Sequence, residues 1–127
     1  AFSLGTAGAV AVGGATGSVL RYLVGLLVPH SPAGAAMPWA TVAVNVSGSL
    51  LLGALAGAAV AGTGPAPLPR AFLTIGVLGG FTTFSTFSVD AVSLLHAGSP
   101  ARAALYIAVS VLGSIGAAYL GFTWMRG

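Results

Sequence analysis

The chain has 127 residues, of which four are basic and one is acidic, so that charged residues make up only 4% of the sequence. Because soluble domains carry about 25% charged residues, this composition excludes a water-soluble globular protein. The few basic residues form no cluster of the kind that binds nucleic acid. Without cysteine, the chain forms neither a disulfide nor a thiolate metal site.

Four apolar stretches are long enough to cross the hydrocarbon core of a membrane, which takes ~20 residues per helix. They predict an all-α membrane protein in which residues 1–127 form a single four-helix transmembrane domain. The predicted spans are 4–28, 39–61, 69–95 and 100–125. Segments rich in Pro and Gly, which are typical of turns, separate these spans at 29–34, 62–67 and 97–100.

The four arginines give no preferred orientation in the membrane. An even number of spans puts both termini on one side, together with Arg70 and Arg126. Arg102 would lie on the opposite side, and Arg21 lies in the half of the first span nearest to it. Because an excess of Arg and Lys in cytoplasmic loops normally sets orientation, this even split leaves open both a single orientation and insertion in both.

Each span carries small residues four positions apart, a spacing that lets membrane helices approach closely. The pairs are Gly13 and Gly17, Gly53 and Gly57, Gly76 and Gly80, and Gly113 and Ala117. One small bundle needs less of this surface than four helices offer. We therefore predict an oligomer, most simply a dimer.

The second span places polar residues where the membrane offers them no water. Thr41, Asn45 and Ser49 are four positions apart and share one helix face. Ser and Thr commonly bond to carbonyls of their own helix, whereas an Asn amide needs more partners than one helix supplies. We therefore favour a functional role for Asn45.

The third span contains the run GGFTTFSTFS at residues 79–88. Gly and β-branched Thr weaken a helix, so we predict that the third helix is broken near its middle, around 79–83. Carbonyls freed there would suit an alkali cation, and a half-helix N-terminus would favour an anion. Phe84 and Phe87 share a face. Such a pair usually packs in a core, although its electropositive ring edges would also suit an anion path.

The fourth span repeats the polar pattern of the second with Tyr106, Ser110 and Ser114, again four positions apart. Such residues often join membrane helices by hydrogen bonds. Together with Asn45 they would also form two walls of a polar track, in which every side chain can donate a hydrogen bond and none is cationic. The pattern by itself is compatible with both interpretations.

These motifs resemble those of the Fluc (CrcB) family of fluoride channels over essentially the whole chain. The similarity rests on GSVLRY at 17–22, NVSG at 45–48 and GGFTTFSTFS at 79–88, the last being the most specific. It implies a passive, fluoride-selective channel in the cell inner (plasma) membrane that lowers cytoplasmic fluoride. It also implies an antiparallel, dual-topology homodimer with two pores.

The resemblance further implies roles for individual residues. Arg21 would lie toward an aqueous vestibule and draw anions in. A structural sodium ion would lie at the dimer axis, bound by the backbone carbonyls of Gly79 and Thr82. Asp90 stands where the family often has Glu, and we assign it no role. The fluoride pore would be lined by Thr41, Asn45, Phe84, Phe87, Tyr106, Ser110 and Ser114.

Two other functions compete with this interpretation, a small dual-topology multidrug or cation exporter and a structural membrane subunit. A proton-coupled exporter needs a membrane carboxylate, but the first span has none and the only acid is Asp90. A structural subunit would not require a Gly-Gly break beside two polar stripes. We predict no enzymatic activity, since the chain lacks Glu and Cys and both histidines, His30 and His96, fall in or beside loops.

Overall fold

The computed structural model describes residues 1–28 and 37–127. The turn predicted at 29–34, which includes His30, lies outside the described residues. Within the described part the protein is all-helical. Its helices are α1 (Leu4–Leu27), α2 (Trp39–Val60), α3 (67–81), α4 (Phe84–His96) and α5 (Pro100–Arg126).

Four of the helical segments are long and apolar enough to cross a membrane, which confirms the prediction of a multi-pass membrane protein. Helices α1, α2 and α5 coincide with the first, second and fourth predicted spans to within two residues. The third predicted span corresponds to α3 and α4 together, and this segment runs from Pro67 to His96. Its outer turns extend slightly beyond the predicted limits because Pro67 is tolerated at the first helical position.

The third span has irregular helical geometry. Helix α3 begins as the α-helical turn Pro67–Ala71, continues as the π-helical segment Phe72–Leu78, and ends as Gly79–Phe81. Thr82 and Thr83 then adopt extended backbone conformations before α4 begins at Phe84. The backbone is therefore non-helical at these two residues, which we call the interruption between α3 and α4.

The turns between the later helices follow their glycines. Gly62 follows α2 and Gly98 follows α4, each with a φ near +80° that only glycine adopts easily. The amide of the next residue bonds back to the helix in both cases, from Thr63 to the Ala58 carbonyl and from Ser99 to that of Leu94. This is the usual glycine-terminated helix end, and it turns the chain sharply into the next span.

The helices pack mainly as two pairs, α1 against α3 and α2 against α5. A Cβ atom at Gly17 would overlap the carbonyl oxygen of Val77, and one at Gly53 would overlap that of Ala118. Gly76 and Gly80 face α1 in the same way. These predicted stripes therefore serve packing inside the chain, and they do not by themselves support the inference of a dimer.

Candidate functional site

The interruption between α3 and α4 leaves backbone groups that need partners from elsewhere. The amide of Thr82 still bonds back to the Leu78 carbonyl, at 3.0 Å. The Thr83 side chain begins α4 by accepting a hydrogen bond from the Thr86 amide at 3.2 Å, as N-cap residues do. The amide and carbonyl of Thr83 itself point away from both helices and are satisfied by a side chain.

That side chain is Asn45 of α2. Its Oδ1 atom accepts from the Thr83 amide at 2.8 Å, and its Nδ2 atom donates to the Thr83 carbonyl at 3.0 Å. Two residues that are 38 positions apart are thus joined by a pair of hydrogen bonds, one donated and one accepted by the same side chain. Gly48 allows this approach, since a Cβ atom there would overlap the methyl group of Thr82.

A cavity of about 360 Å³ opens beside this bond, and we call it the Asn45 cavity. It brings together five of the seven predicted pore residues: Asn45, Phe84, Phe87, Ser110 and Ser114. Thr82, Thr83 and Ser49 contribute to the same wall. Residues from α2, α4, α5 and the interruption between α3 and α4 therefore meet at one place, although they are distant in the sequence.

Ser110 is the notable polar residue of this cavity. Its residue surface is only 4% exposed, and its Oγ atom is buried. Within residues 1–28 and 37–127, every other buried side-chain oxygen or nitrogen atom has a hydrogen-bond partner, but the Oγ atom of Ser110 has none. A buried hydroxyl without a partner is costly in an apolar environment, so this position favours a bound polar species.

The two phenylalanines form an aromatic pair on the wall of the Asn45 cavity. Their ring centroids lie 5.5 Å apart with planes inclined at 54°. Phe87 also packs on Tyr106, with centroids 5.3 Å apart, and is 8% exposed, whereas Phe84 is 77% exposed. Phe87 is therefore held in place by the chain's own core, and Phe84 by far fewer contacts.

The remaining predicted pore residues, Thr41 and Tyr106, do not line this cavity. Both donate to the same carboxylate oxygen of Asp90, Thr41 at 2.7 Å and Tyr106 at 3.0 Å. We call these three residues the Asp90 cluster. Sequence reasoning left Asp90 without a role, although a carboxylate within a span requires donors nearby and thereby points to such hydroxyl partners.

Arg21 of α1 contacts the C-terminal end of α3, next to the interruption. Its Nε atom donates to the carbonyl of Gly80 at 3.2 Å. It also lines a second cavity of about 420 Å³, together with Thr41, Thr83 and Thr86. The sequence motif containing Arg21 gives no sign of its hydrogen bond to the third span, because the two residues are 59 positions apart.

Two carbonyls at the interruption lose the amides with which they would pair in a continuous helix. The partner of Gly79 would be the Thr83 amide, which instead donates to Asn45. The partner of Thr82 would be the Thr86 amide, which instead donates to the Thr83 side chain. Across the described residues no group of three or more His, Asp or Glu side chains could hold a metal ion.

Comparison with known proteins places these features in context. Residues 8–122 match the family model described as CrcB-like protein, Camphor Resistance (CrcB). The chain is 50% identical over 118 residues to a protein of Rhodospirillum centenum named fluoride-specific ion channel FluC, with 93% of each chain covered. Proteins of the same name from Rhizobium meliloti and Hyphomonas neptunium are 50% and 48% identical over 117 and 118 residues, which cover 92% and 91% of this chain and 93% and 91% of theirs. The resemblance inferred from the three motifs is thereby confirmed.

Proposed function

The chain belongs to the CrcB family, and from that premise we propose that it is a fluoride-selective passive channel of the plasma membrane, through which fluoride leaves the cytoplasm. The family's named members are ion channels and not enzymes, in agreement with the absence of catalytic activity expected from the sequence. The proposal goes beyond the family assignment in naming the direction of transport, the residues of the path and the assembly.

The Asn45 cavity carries this proposal, and above all the buried Oγ atom of Ser110 that has no partner in the described part of the chain. Fluoride is small and strongly hydrated, so a path must replace its water with hydrogen-bond donors. Ser110, Ser114 and the second N–H of Asn45 are donors of this kind. The ring edges of Phe84 and Phe87 add weakly positive surfaces.

The absence of a fixed charge from this cavity also suits conduction. An ion must bind well enough to enter and weakly enough to leave. The lining residues are neutral, and the one acidic residue of the chain is bonded to Thr41 and Tyr106. An exporter that exchanges protons at a carboxylate would instead need that group in the transport site, which makes the exporter the weaker alternative.

We further propose that the carbonyls of Gly79 and Thr82 bind a structural sodium ion. Sodium is a hard cation that prefers oxygen ligands, and unwound backbone within membrane helices often provides them. The diversion of the Thr83 and Thr86 amides leaves these two oxygens without their helical partners, so the donor set fits the ion. A sodium ion bound by these carbonyls would supply a positive charge at the interruption.

The assembly we propose is an antiparallel homodimer with two pores, one associated with each Asn45 cavity. Its support is the family membership together with the even split of the four arginines, which leaves insertion in both orientations open. The glycine stripes add no support, because they are used within the chain.

Anion release from liposomes tests the function. Vesicles containing the purified protein are loaded with equal concentrations of fluoride and chloride, and release of each ion is followed with an ion-selective electrode. We expect rapid fluoride release and chloride release no faster than in protein-free vesicles. Equal release of both ions would contradict selectivity, and no release of either by correctly folded protein would contradict the channel itself.

A further inference from the structure

The register of α1 against α3 places Arg21 on the interruption of the third span. Gly13, Gly17 and Arg21 are spaced four apart and lie on one face of α1. A Cβ atom at Gly13 would overlap the backbone at Phe72, and one at Gly17 would overlap the backbone at Val77. Because the two glycines bring the backbones into contact, the next position on that face, Arg21, meets Gly80 directly.

The hydrogen bond that results gives the Gly80 carbonyl a donor. In a continuous helix the carbonyl of Gly80 would accept from the amide four residues later, but Thr82 and Thr83 are extended. The Nε atom of Arg21 donates to this carbonyl at 3.2 Å and so replaces the missing donor. An unpaired carbonyl within a membrane is costly, so the replacement stabilises the interruption.

Arg21 and Asn45 act on the same short segment from two different helices. Arg21 of α1 holds Gly80, before the extended residues, and Asn45 of α2 holds Thr83 within them. The backbone between these two points includes Thr82, which lines the Asn45 cavity together with Thr83. The position of Thr83 and of the Phe84 that follows it therefore depends on both bonds.

We infer that Arg21 is a positioning residue of the ion path, which acts through its Nε–H bond to the Gly80 carbonyl and not chiefly through its positive charge. This inference rests on the proposed function for its link to conduction. It differs from the expectation that Arg21 mainly draws anions into a vestibule, because one role requires a donor at the Nε position and the other requires only a positive charge.

Two substitutions separate the donor from the charge. The Nε2 atom of Gln is attached at the same carbon position as the Nε atom of Arg, so Arg21→Gln keeps a donor where Gly80 needs one and removes the charge. Arg21→Lys keeps the charge, but it places a methylene group where the donor should be. Lys also presents its charge as a mobile ammonium group.

The measurements are fluoride and chloride release from liposomes, together with hydrogen–deuterium exchange of the peptide that contains residues 79–83. We expect Arg21→Lys to exchange faster in this peptide, to release fluoride about tenfold more slowly, the effect of losing one charge-assisted hydrogen bond, and to lose selectivity over chloride. We expect Arg21→Gln to keep the exchange pattern and the fluoride-to-chloride ratio of the parent. A merely structural role would lower the amount of active protein without changing that ratio.

The inference is overturned if Arg21→Lys matches the parent while Arg21→Gln loses fluoride release, because function would then follow the charge. It is also overturned if both variants keep the parent's exchange pattern. Should Arg21→Lys not yield folded protein, Arg21→Met, which likewise lacks the donor, takes its place in the exchange measurement.

Arg70 provides the matched control, since its Nη2 atom also donates to a backbone carbonyl, that of Pro65, at 3.0 Å in an exposed turn. Arg70→Lys and Arg70→Gln should leave both ion release and the exchange of residues 79–83 unchanged. If the parent protein itself releases no fluoride, the proposed function fails. The exchange measurements would still decide whether Arg21 holds the interruption.

Discussion

Two polar regions of the molecule are built from hydroxyl and Asp or Asn side chains on the same helices, but they differ in whether their buried hydroxyl groups have hydrogen-bond partners. In the Asp90 cluster, the hydroxyls of Thr41 and Tyr106 both donate to one carboxylate. In the Asn45 cavity, one helical turn along α5, the buried Oγ atom of Ser110 has no partner among the described residues. The hydroxyls of the first region therefore have a partner within the chain, whereas the described residues offer none to the Ser110 hydroxyl.

The difference shows that residue type and spacing do not separate a structural polar contact from a binding one. Tyr106 and Ser110 are four positions apart on one face of α5, and both are buried. Only the count of satisfied donors and acceptors distinguishes them.

The largest effect is expected for Asn45→Ala. Asn45 lines the cavity and also bonds to Thr83 in the interruption, and the substitution removes both of those bonds. Two backbone groups would be left without partners in the membrane, a loss of about 2–3 kcal/mol of stability. We expect fluoride release from liposomes to fall at least about tenfold, since the wall of the cavity would move. Thermal unfolding in detergent should show the loss of stability.

Ser47→Ala is the matched control for this prediction. Ser47 lies two residues further along α2, is exposed, and bonds only to carbonyls of its own helix. The Ser47→Ala protein should have the same unfolding temperature and the same fluoride release as the parent. Parent-like fluoride release by Asn45→Ala would show that neither the cavity nor the interruption depends on Asn45.

Phe87→Ile is expected to come next. Phe87 packs between Phe84 and Tyr106, so the change removes the ring edge from the cavity and leaves space in the core. We expect fluoride release to fall about tenfold and the unfolding free energy to fall by about 1–2 kcal/mol. Phe84→Ile changes the exposed ring and should lower fluoride release with less loss of stability. A larger loss of stability for Phe84→Ile than for Phe87→Ile would contradict the conclusion that the core holds Phe87 more firmly than Phe84.

Ser110→Ala tests the Asn45 cavity directly. Because no described residue bonds to the Oγ atom, its removal should leave stability unchanged or slightly higher. Fluoride release should nevertheless fall, by about threefold to tenfold, if this hydroxyl replaces one water of the passing ion. A variant that unfolds at a lower temperature than the parent would mean that Ser110 has a structural partner after all.

Tyr106→Phe tests the Asp90 cluster and should have the smallest effect on conduction. The ring remains packed on Phe87, and only the bond to Asp90 is lost. We expect stability to fall by about 1 kcal/mol and fluoride release to change less than twofold. If Tyr106→Phe lowered fluoride release and Ser110→Ala did not, the ion would bind at the Asp90 cluster and not beside Ser110.

Much of the fold was predictable because it depends on local properties of the chain. Apolar runs of more than 20 residues located the four spans, and a spacing of four identified the faces carrying Gly13, Gly17 and Asn45. The weak helix formers at 79–83 marked the region where Thr82 and Thr83 become extended. The specific motif at 79–88, together with those at 17–22 and 45–48, indicated the family.

What the tertiary structure decided is which polar groups satisfy one another. The spacing of Tyr106, Ser110 and Ser114 was compatible with both helix–helix contacts and a polar track, because hydroxyl residues at one spacing are indistinguishable until their partners are known. The partners of Asn45 and Arg21 lie 38 and 59 positions away, in a different span. Such pairing depends on how the helices are placed against one another, and close contact at glycines such as Gly17 and Gly48 sets that placement.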